Sequence, residues 1–323
     1  WHTAQAMTDL LQGDVVLDRS AFALAPSDPG GFDGEPLRPY NAAPDALLLN
    51  YKSVVMTFVV DRPNHVARVH VNPPLAGVAI PASVPLAGGD CGDYRGGLRA
   101  DFSDPTRIRF AGSYPASCQE RVWPVAFPDP ASYAARAVEG MWRDVGGQLG
   151  GMVRDGPVPA GVGAPVFEIG SPTLAEVIRD INKYSNNVMA QQVFLSLSLP
   201  ATRVNGTALV GAAAAGPATG AASFEASREV LRTWWRERFG NTEPPLLDNG
   251  SGLSRGARIS AQALARLLQT AWQSPQMPEL MASLPIAGVD GTMRRNRSSA
   301  AGSAHLKTGS LRDVVAIAGY VRA

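Results

Sequence analysis

Ala304-His305-Leu306-Lys307-Thr308-Gly309-Ser310-Leu311 decides how the second half of this chain is read. The apolar run Val314-Val315-Ala316-Ile317 follows two residues later, so 305–321 reads as two strands. On a strand, residues 305, 307 and 309 share one face. Lys307 then presents a cation at a strand edge. Thr308 and Ser310 offer hydroxyls to a carboxylate, and Gly309 lets a bound backbone approach the strand closely. Taken alone, Lys-Thr-Gly also fits an ordinary strand edge with an exposed lysine.

Upstream of this strand the apolar period is helical. Ser171 can cap a helix with Pro172 in its first turn. Leu174, Val177, Ile178 and Ile181 then follow at i, i+3, i+4, i+7. Ala190, Val193, Phe194 and Leu197 repeat that spacing, and Ser185-Asn186-Asn187 falls between the two helices. A hydroxyl and a carboxamide two residues apart in a tight interhelical loop can face one cleft, the first relaying a proton and the second holding a carbonyl. The plainer reading is capping, with Asn187 opening the second helix. A further helix is predicted from Ser223 to Phe239, ended by Gly240, and a fourth is capped by Ser260 with Leu264, Leu267, Leu268 and Ala271 on one face. The Ala/Gly-rich stretch 205–222 is expected to be a mobile loop. Two loop motifs complete this half: Asp248-Asn249-Gly250-Ser251-Gly252-Leu253-Ser254-Arg255, and Leu284-Pro285-Ile286-Ala287-Gly288-Val289-Asp290-Gly291-Thr292.

The first 165 residues read mostly as strands. Val54, Met56, Phe58 and Val60 alternate with other residues, Asp61-Arg62-Pro63-Asn64 makes a turn, and Ala67, Val69 and Val71 return, predicting a hairpin over 53–72. A second pair is predicted around Asp104-Pro105, with Leu98, Ala100 and Phe102 before it and Ile108 and Phe110 after. Residues 131–149 look helical, and the Pro- and Gly-rich stretches 26–44 and 73–90 are loops. Cys91 and Cys118, the only cysteines, flank the second pair. They are either a disulfide or two unrelated buried thiols.

With 323 residues, 45% hydrophobic and 18% charged, the chain can build two folded domains. A net charge of +1 gives no electrostatic reason to expect a nucleic-acid partner, and no apolar run approaches the roughly 20 residues a membrane span requires. His65 and His70 lie five apart on a predicted hairpin, and there is no His-Glu-x-x-His, so no metal site is expected. No Gly-x-Ser-x-Gly is present. His305 shares a face with Lys307 but is expected to be structural.

Ser185-Asn186-Asn187, the 248–255 motif, the 284–292 motif and Lys307-Thr308-Gly309, in this order, resemble the C-terminal half of the DacB-like, type-4 D-alanyl-D-alanine carboxypeptidases and endopeptidases. These are class C penicillin-binding proteins. The resemblance extends over 1–323 and is most specific over 171–199, 246–255 and 284–321. It implies an α+β fold: a partial penicillin-binding, β-lactamase-like transpeptidase core of helices plus an antiparallel sheet at 166–323, and a β-rich inserted region at 1–165 that can comprise two small subdomains. It implies that Ser185 shuttles a proton, that Asn187 orients the substrate amide, and that Lys307 tunes the site's electrostatics. Thr308 and Ser310 would hold the terminal carboxylate, and Ser310 can lend its backbone N–H to an oxyanion hole. The resemblance also favours the Cys91–Cys118 disulfide, because it points to an exported, periplasmic protein in which oxidation is allowed.

One family motif is not in the sequence. Ser-x-x-Lys, which supplies the nucleophile and its base, needs a serine three residues before a lysine. The three lysines are Lys52, Lys183 and Lys307, preceded at that distance by Leu49, Asp180 and Ala304. The N-terminus, Trp1-His2-Thr3-Ala4, carries no signal peptide, and the chain reads as a fragment. What the resemblance implies is therefore a serine peptidase of peptidoglycan stem peptides and cross-bridges, binding β-lactams when intact, requiring no cofactor, and inactive as this chain alone. The alternative is a non-catalytic peptidoglycan binder with a degenerate core. Side chains filling the space beside Ser185 and Lys307 would favour that alternative.

Overall fold

The β-alternation of the first half becomes a five-stranded sheet in the computed structural model, which describes residues 10–200, 202–204, 207–209 and 220–322. Contacts gather the chain into two units, Trp1–Ser20 with Pro26–Val162 and Ala21–Ala25 with Gly163–Ala323. In the first unit, β1 (Ser53–Asp61) buries Val54, Met56 and Phe58 while Val55, Thr57 and Val59 between them stay partly exposed. It pairs antiparallel with β2 (Val66–Asn72). β3 (Ser83–Ala87) adds to β2. A separate hairpin, β4 (Ala100–Asp104) with β5 (Arg107–Phe110), turns at Asp104-Pro105. β6 (Tyr114–Pro115) lies beside β3, and β7 (Glu120–Ala126) closes the other side of β1.

This sheet carries one continuous core. Phe58 is stacked on Tyr114 at 5.4 Å between ring centroids and meets Phe110 edge-on at 5.6 Å. Helix α1 (Tyr133–Asp144) lays Tyr133 and Ala137 into it, and the buried Tyr133 hydroxyl donates to Ser53 O at 2.9 Å. Cys91 and Cys118 are joined by a disulfide. The chain enters β1 through Asn50, Tyr51 and Lys52, all at positive φ. Left-handed sterics disfavour such a turn by about 1–2 kcal/mol per residue. Lys52 is held there by Asp45, whose carboxylate also pairs with Arg19, the Lys52 Nζ lying 2.8 Å from Oδ2.

In the second unit the helices start where a side chain can cap them. α2 (Leu174–Tyr184) is capped by Thr173, not by Ser171 as expected. Thr173 accepts from the Glu176 N–H while the Glu176 carboxylate reaches back to the Thr173 N–H, a reciprocal pairing unavailable three residues after Ser171. α3 (Asn187–Ser196) follows after two residues. α4 (Phe224–Phe239) is capped by Ser223 and ends at Gly240, and α5 (Ala261–Trp272) is capped by Ser260. A short helix that sequence reading did not anticipate, α6 (Met277–Ser283), precedes the 284–292 motif. β8 (Ala304–Leu311) and β9 (Val314–Val321) form an antiparallel hairpin with Lys307 opposite Ala318. Two small apolar clusters support these elements, Trp235 with Phe239 and Ala263, and Ala287 with Met293 and Ala304. The stretch 205–222 lies largely outside the described residues, apart from a short pairing of Thr207–Leu209 with Thr202–Val204. Residues 1–9 and 323 lie outside them too.

Candidate active site

Helix α2 ends because Ser185 adopts a left-handed conformation, φ 56° and ψ 47°. The Ser185 and Asn186 N–H groups both return to Ile181 O. Glycine is the usual residue at such a helix end, since any side chain there is sterically penalised. Asn186, rather than Asn187, caps the next helix: its Oδ1 accepts from the Met189 N–H at 3.1 Å. The expected capping role therefore falls one residue earlier. Asn187 becomes the first helical residue and lines a cleft.

Lys307 approaches from β8. Its Nζ donates to Ser185 Oγ at 2.9 Å and to Thr308 O at 3.1 Å, so both acceptors are neutral. Burial pushes the Lys307 pKa down from the ordinary lysine value, because desolvation disfavours the charged form. Thr308, Gly309 and Ser310 line the same cleft. A Cβ placed on Gly309 would meet nothing within 4 Å, so the strand's own packing does not require glycine there.

The cleft has a volume of about 1380 Å³. Apolar side chains, among them Leu231, Trp234, Leu246, Leu264 and Leu284, make much of its wall. Besides Lys307 its charged lining residues are Arg228, Arg232, Arg255 and Arg258, and among the described lining residues there is no Asp or Glu. Arg228, Arg232 and Arg255 are each ion-paired, with Glu225, Glu229 and Asp313 respectively, so much of this positive charge is balanced at the rim of the cleft. The 248–255 motif supplies one side. Asn249 Oδ1 accepts from both the N–H and the hydroxyl of Ser251, the latter at 2.8 Å, and Ser251 Oγ accepts from the Leu253 N–H. At Gly250, φ is +77°, and a Cβ would sit 2.5 Å from the Phe194 side chain, so this turn can pack on α3 only with glycine. Ser251 and Arg255 are cleft residues that sequence reading did not single out. Their signal was the length of that motif.

His305 turns away from this chemistry: its Nδ1 lies 3.1 Å from Met281 O, and it is not among the cleft's lining residues. Among the described residues, no group of three or more His, Cys, Asp or Glu could hold a metal ion, and no helix is long and apolar enough to cross a membrane.

A helical cluster beside an antiparallel hairpin, with Lys-Thr-Gly on the hairpin facing an interhelical Ser-x-Asn turn, is the penicillin-binding α+β fold. The crystal structure of penicillin binding protein 4 (dacB) from Haemophilus influenzae superposes with a TM-score of 0.66 at 20% identity, covering 98% of this chain and 67% of that one. The chain belongs to the D-Ala-D-Ala carboxypeptidase 3 (S13) family, whose sequence profile matches residues 4–323. It is 30% identical over 223 residues to a D-alanyl-D-alanine carboxypeptidase of Actinomadura sp., covering 66% of this chain and 38% of the relative. It is 23% identical over 321 residues to the D-alanyl-D-alanine carboxypeptidase DacB of Haemophilus influenzae, covering 96% of this chain. The chain thus spans 38% and 62% of the lengths of these two relatives.

Proposed function

We propose that the protein to which this chain belongs is a serine-type D-Ala-D-Ala carboxypeptidase and endopeptidase acting on peptidoglycan stem peptides and cross-bridges in the periplasm. The observation that carries this reading is the Lys307–Ser185 contact of 2.9 Å on the wall of a cleft that Asn187, Thr308, Gly309 and Ser310 also line. A peptide ending in D-Ala brings a carboxylate, which the Thr308 and Ser310 hydroxyls can bind beside the Lys307 charge. Asn187 donates to the substrate amide carbonyl. A serine hydroxyl adds to the scissile carbonyl, the tetrahedral adduct collapses to an acyl-serine, and Ser185 passes a proton to the departing amine. Water then releases the acid. No cofactor takes part, and β-lactams are acylating ligands of the intact enzyme.

In this reading residues 166–323 are part of the catalytic core and 1–165 are a β-rich insert between the nucleophile motif and Ser185. The nucleophile and its lysine base belong to a Ser-x-x-Lys that this sequence does not contain. The chain alone is therefore inactive. The alternative of a non-catalytic peptidoglycan binder is less favoured, because the space beside Ser185 and Lys307 is a cleft rather than packed side chains.

Fluorescent penicillin tests the proposal. The 323-residue chain should not be labelled, and a longer protein that includes a Ser-x-x-Lys should be. Lys307→Ala in that protein should slow acylation by about 10²–10³-fold, the scale of losing one preorganised electrostatic contact. A stoichiometric adduct on the chain alone overturns the nucleophile assignment, and an unchanged rate in Lys307→Ala overturns the site assignment.

A further inference from the structure

The 284–292 motif and Lys183 have no part in the reaction described above, yet the fold joins them. Lys183 lies in the last turn of α2, two residues before Ser185, and its side chain is buried. Its Nζ donates to Asp290 Oδ2 at 2.6 Å and to Leu284 O at 2.7 Å. Next to it, the Asn182 amide donates to Oγ of the fully buried Ser283 at the end of α6, at 2.8 Å. The second oxygen of Asp290 accepts from the Ile286 N–H at 2.8 Å and closes the turn. Gly291, at φ +55°, passes so close to α2 that a Cβ would lie 2.6 Å from Lys183 O.

The same turn is bonded to the strand that carries Lys307. The Ala287 N–H donates to Ala304 O at 2.9 Å, the Leu306 N–H donates to Pro285 O at 2.8 Å, and Ile286 forms a bridge with His305. A short continuous path therefore runs from Ser185 back to Lys183, across the ion pair to the 284–291 turn, and along β8 to Lys307. Asp290 is a charged partner in it. Burial opposes its ionisation, but the Lys183 ammonium and the Ile286 N–H outweigh that and hold its carboxyl below the usual carboxylate range.

We propose that Lys183 and Asp290 are positioning residues whose ion pair clamps the 284–291 turn to the end of α2 and thereby sets the contact between Lys307 Nζ and Ser185 Oγ. An apolar contact could hold the turn equally firmly, but two directional bonds from one buried ammonium fix its register as well. The use of that contact in acyl transfer rests on the proposed function; the clamp itself rests on geometry.

Three lysines make the clamp measurable. Selective ¹³C labelling of lysine gives three Cε signals in the 323-residue chain, and substitution of Lys52 assigns one of them. The Lys307 signal should titrate below free lysine. In Lys183→Met the chain should still melt cooperatively while the Lys307 midpoint moves up toward that of free lysine, as β8 separates from Ser185 and water reaches the ammonium. Asp290→Asn keeps an acceptor for the Ile286 N–H and should shift the midpoint in the same direction by less. It carries the test, because losing the Lys183 cation raises the Lys307 midpoint by charge alone, whereas losing a carboxylate without any movement of β8 would lower it. The charged cleft residues Arg228, Arg232, Arg255 and Arg258, and His305 on β8, are unchanged in both variants. A lower melting temperature with an unmoved Lys307 midpoint overturns the proposal, leaving the pair only a fold staple. In the longer protein, Lys183→Met should slow penicillin acylation by about 10–100-fold, as misplacement near 1 Å does, with affinity for the unreacted ligand unchanged. It should add nothing to Lys307→Ala, and additive losses overturn the shared path. A wild-type protein that is not acylated at all defeats the functional reading, while the lysine titration still decides the clamp.

Discussion

In the first unit Met56, Phe58 and Tyr114 are fully buried in one core, whereas in the second Val314, Val315, Ile317 and Val321 stand exposed along β9 and Trp234 faces a cleft. Both regions are rich in apolar side chains, but the first gathers them into one large core while the second buries them in small clusters. The second keeps much of its apolar surface for the wall of a cleft and for an edge strand. Such surface contributes little to the stability of the unit that displays it and marks where something else binds or packs. Removing apolar groups should therefore affect the two units very differently.

The largest effect expected is that of Phe58→Ala. Deleting a fully buried ring that contacts Phe110 and Tyr114 should lower the stability of the first unit by about 3–5 kcal/mol, read from denaturant unfolding. Ile317→Ala on the exposed strand should change stability by no more than about 0.5 kcal/mol. Similar losses from the two substitutions would break the contrast. Next comes the disulfide. Its cysteines are 27 residues apart, and opening that loop should destabilise the first unit by about 3.5 kcal/mol on chain-entropy grounds. The transition assigned to the second unit should not move on reduction; if it shifts equally, the units do not unfold separately.

The same contrast explains what could be read from sequence. The 53–72 hairpin and the pair around Asp104-Pro105 follow directly from alternation, because each strand has one face on the core and the other toward solvent. Helices α4 and α5 follow from Ser223 and Ser260, since a single serine before an amphipathic run settles where the helix begins. The cap at Thr173 is marked in the sequence by Glu176 three residues later, the capping-box spacing that Ser171 lacks, whereas the cap at Asn186 is not marked, because two adjacent asparagines compete and the backbone geometry chooses between them. Of the candidate site, Ser185, Asn187, Lys307, Thr308, Gly309 and Ser310 were legible as motifs, and the structure places all six on one cleft. Arg255, Ser251 and the Lys183–Asp290 pair were not. Their roles depend on contacts between residues far apart in sequence, such as the 107 positions separating Lys183 from Asp290, which no local pattern encodes.

A difference between two variants at one position is the most specific test of the cleft side of this comparison. Ser185→Ala and Ser185→Gly both delete the hydroxyl that accepts from Lys307, so the lost hydrogen bond is common to the two variants. They differ in the backbone. At φ 56° an alanine Cβ keeps the steric penalty of the left-handed region and glycine removes it. Ser185→Gly should therefore be more stable than Ser185→Ala by about 1 kcal/mol, although glycine loses more chain entropy on folding, because left-handed conformations cost a side chain about 1–2 kcal/mol. Thermal melts of the two variants measure that difference directly. Equal stabilities would mean that the left-handed turn between α2 and α3 relaxes once the serine is gone, and that the hydroxyl's contact with Lys307 holds the turn in place. A stabler glycine variant would mean that the backbone imposes the turn on whatever residue occupies it, with serine retained at a cost to the fold.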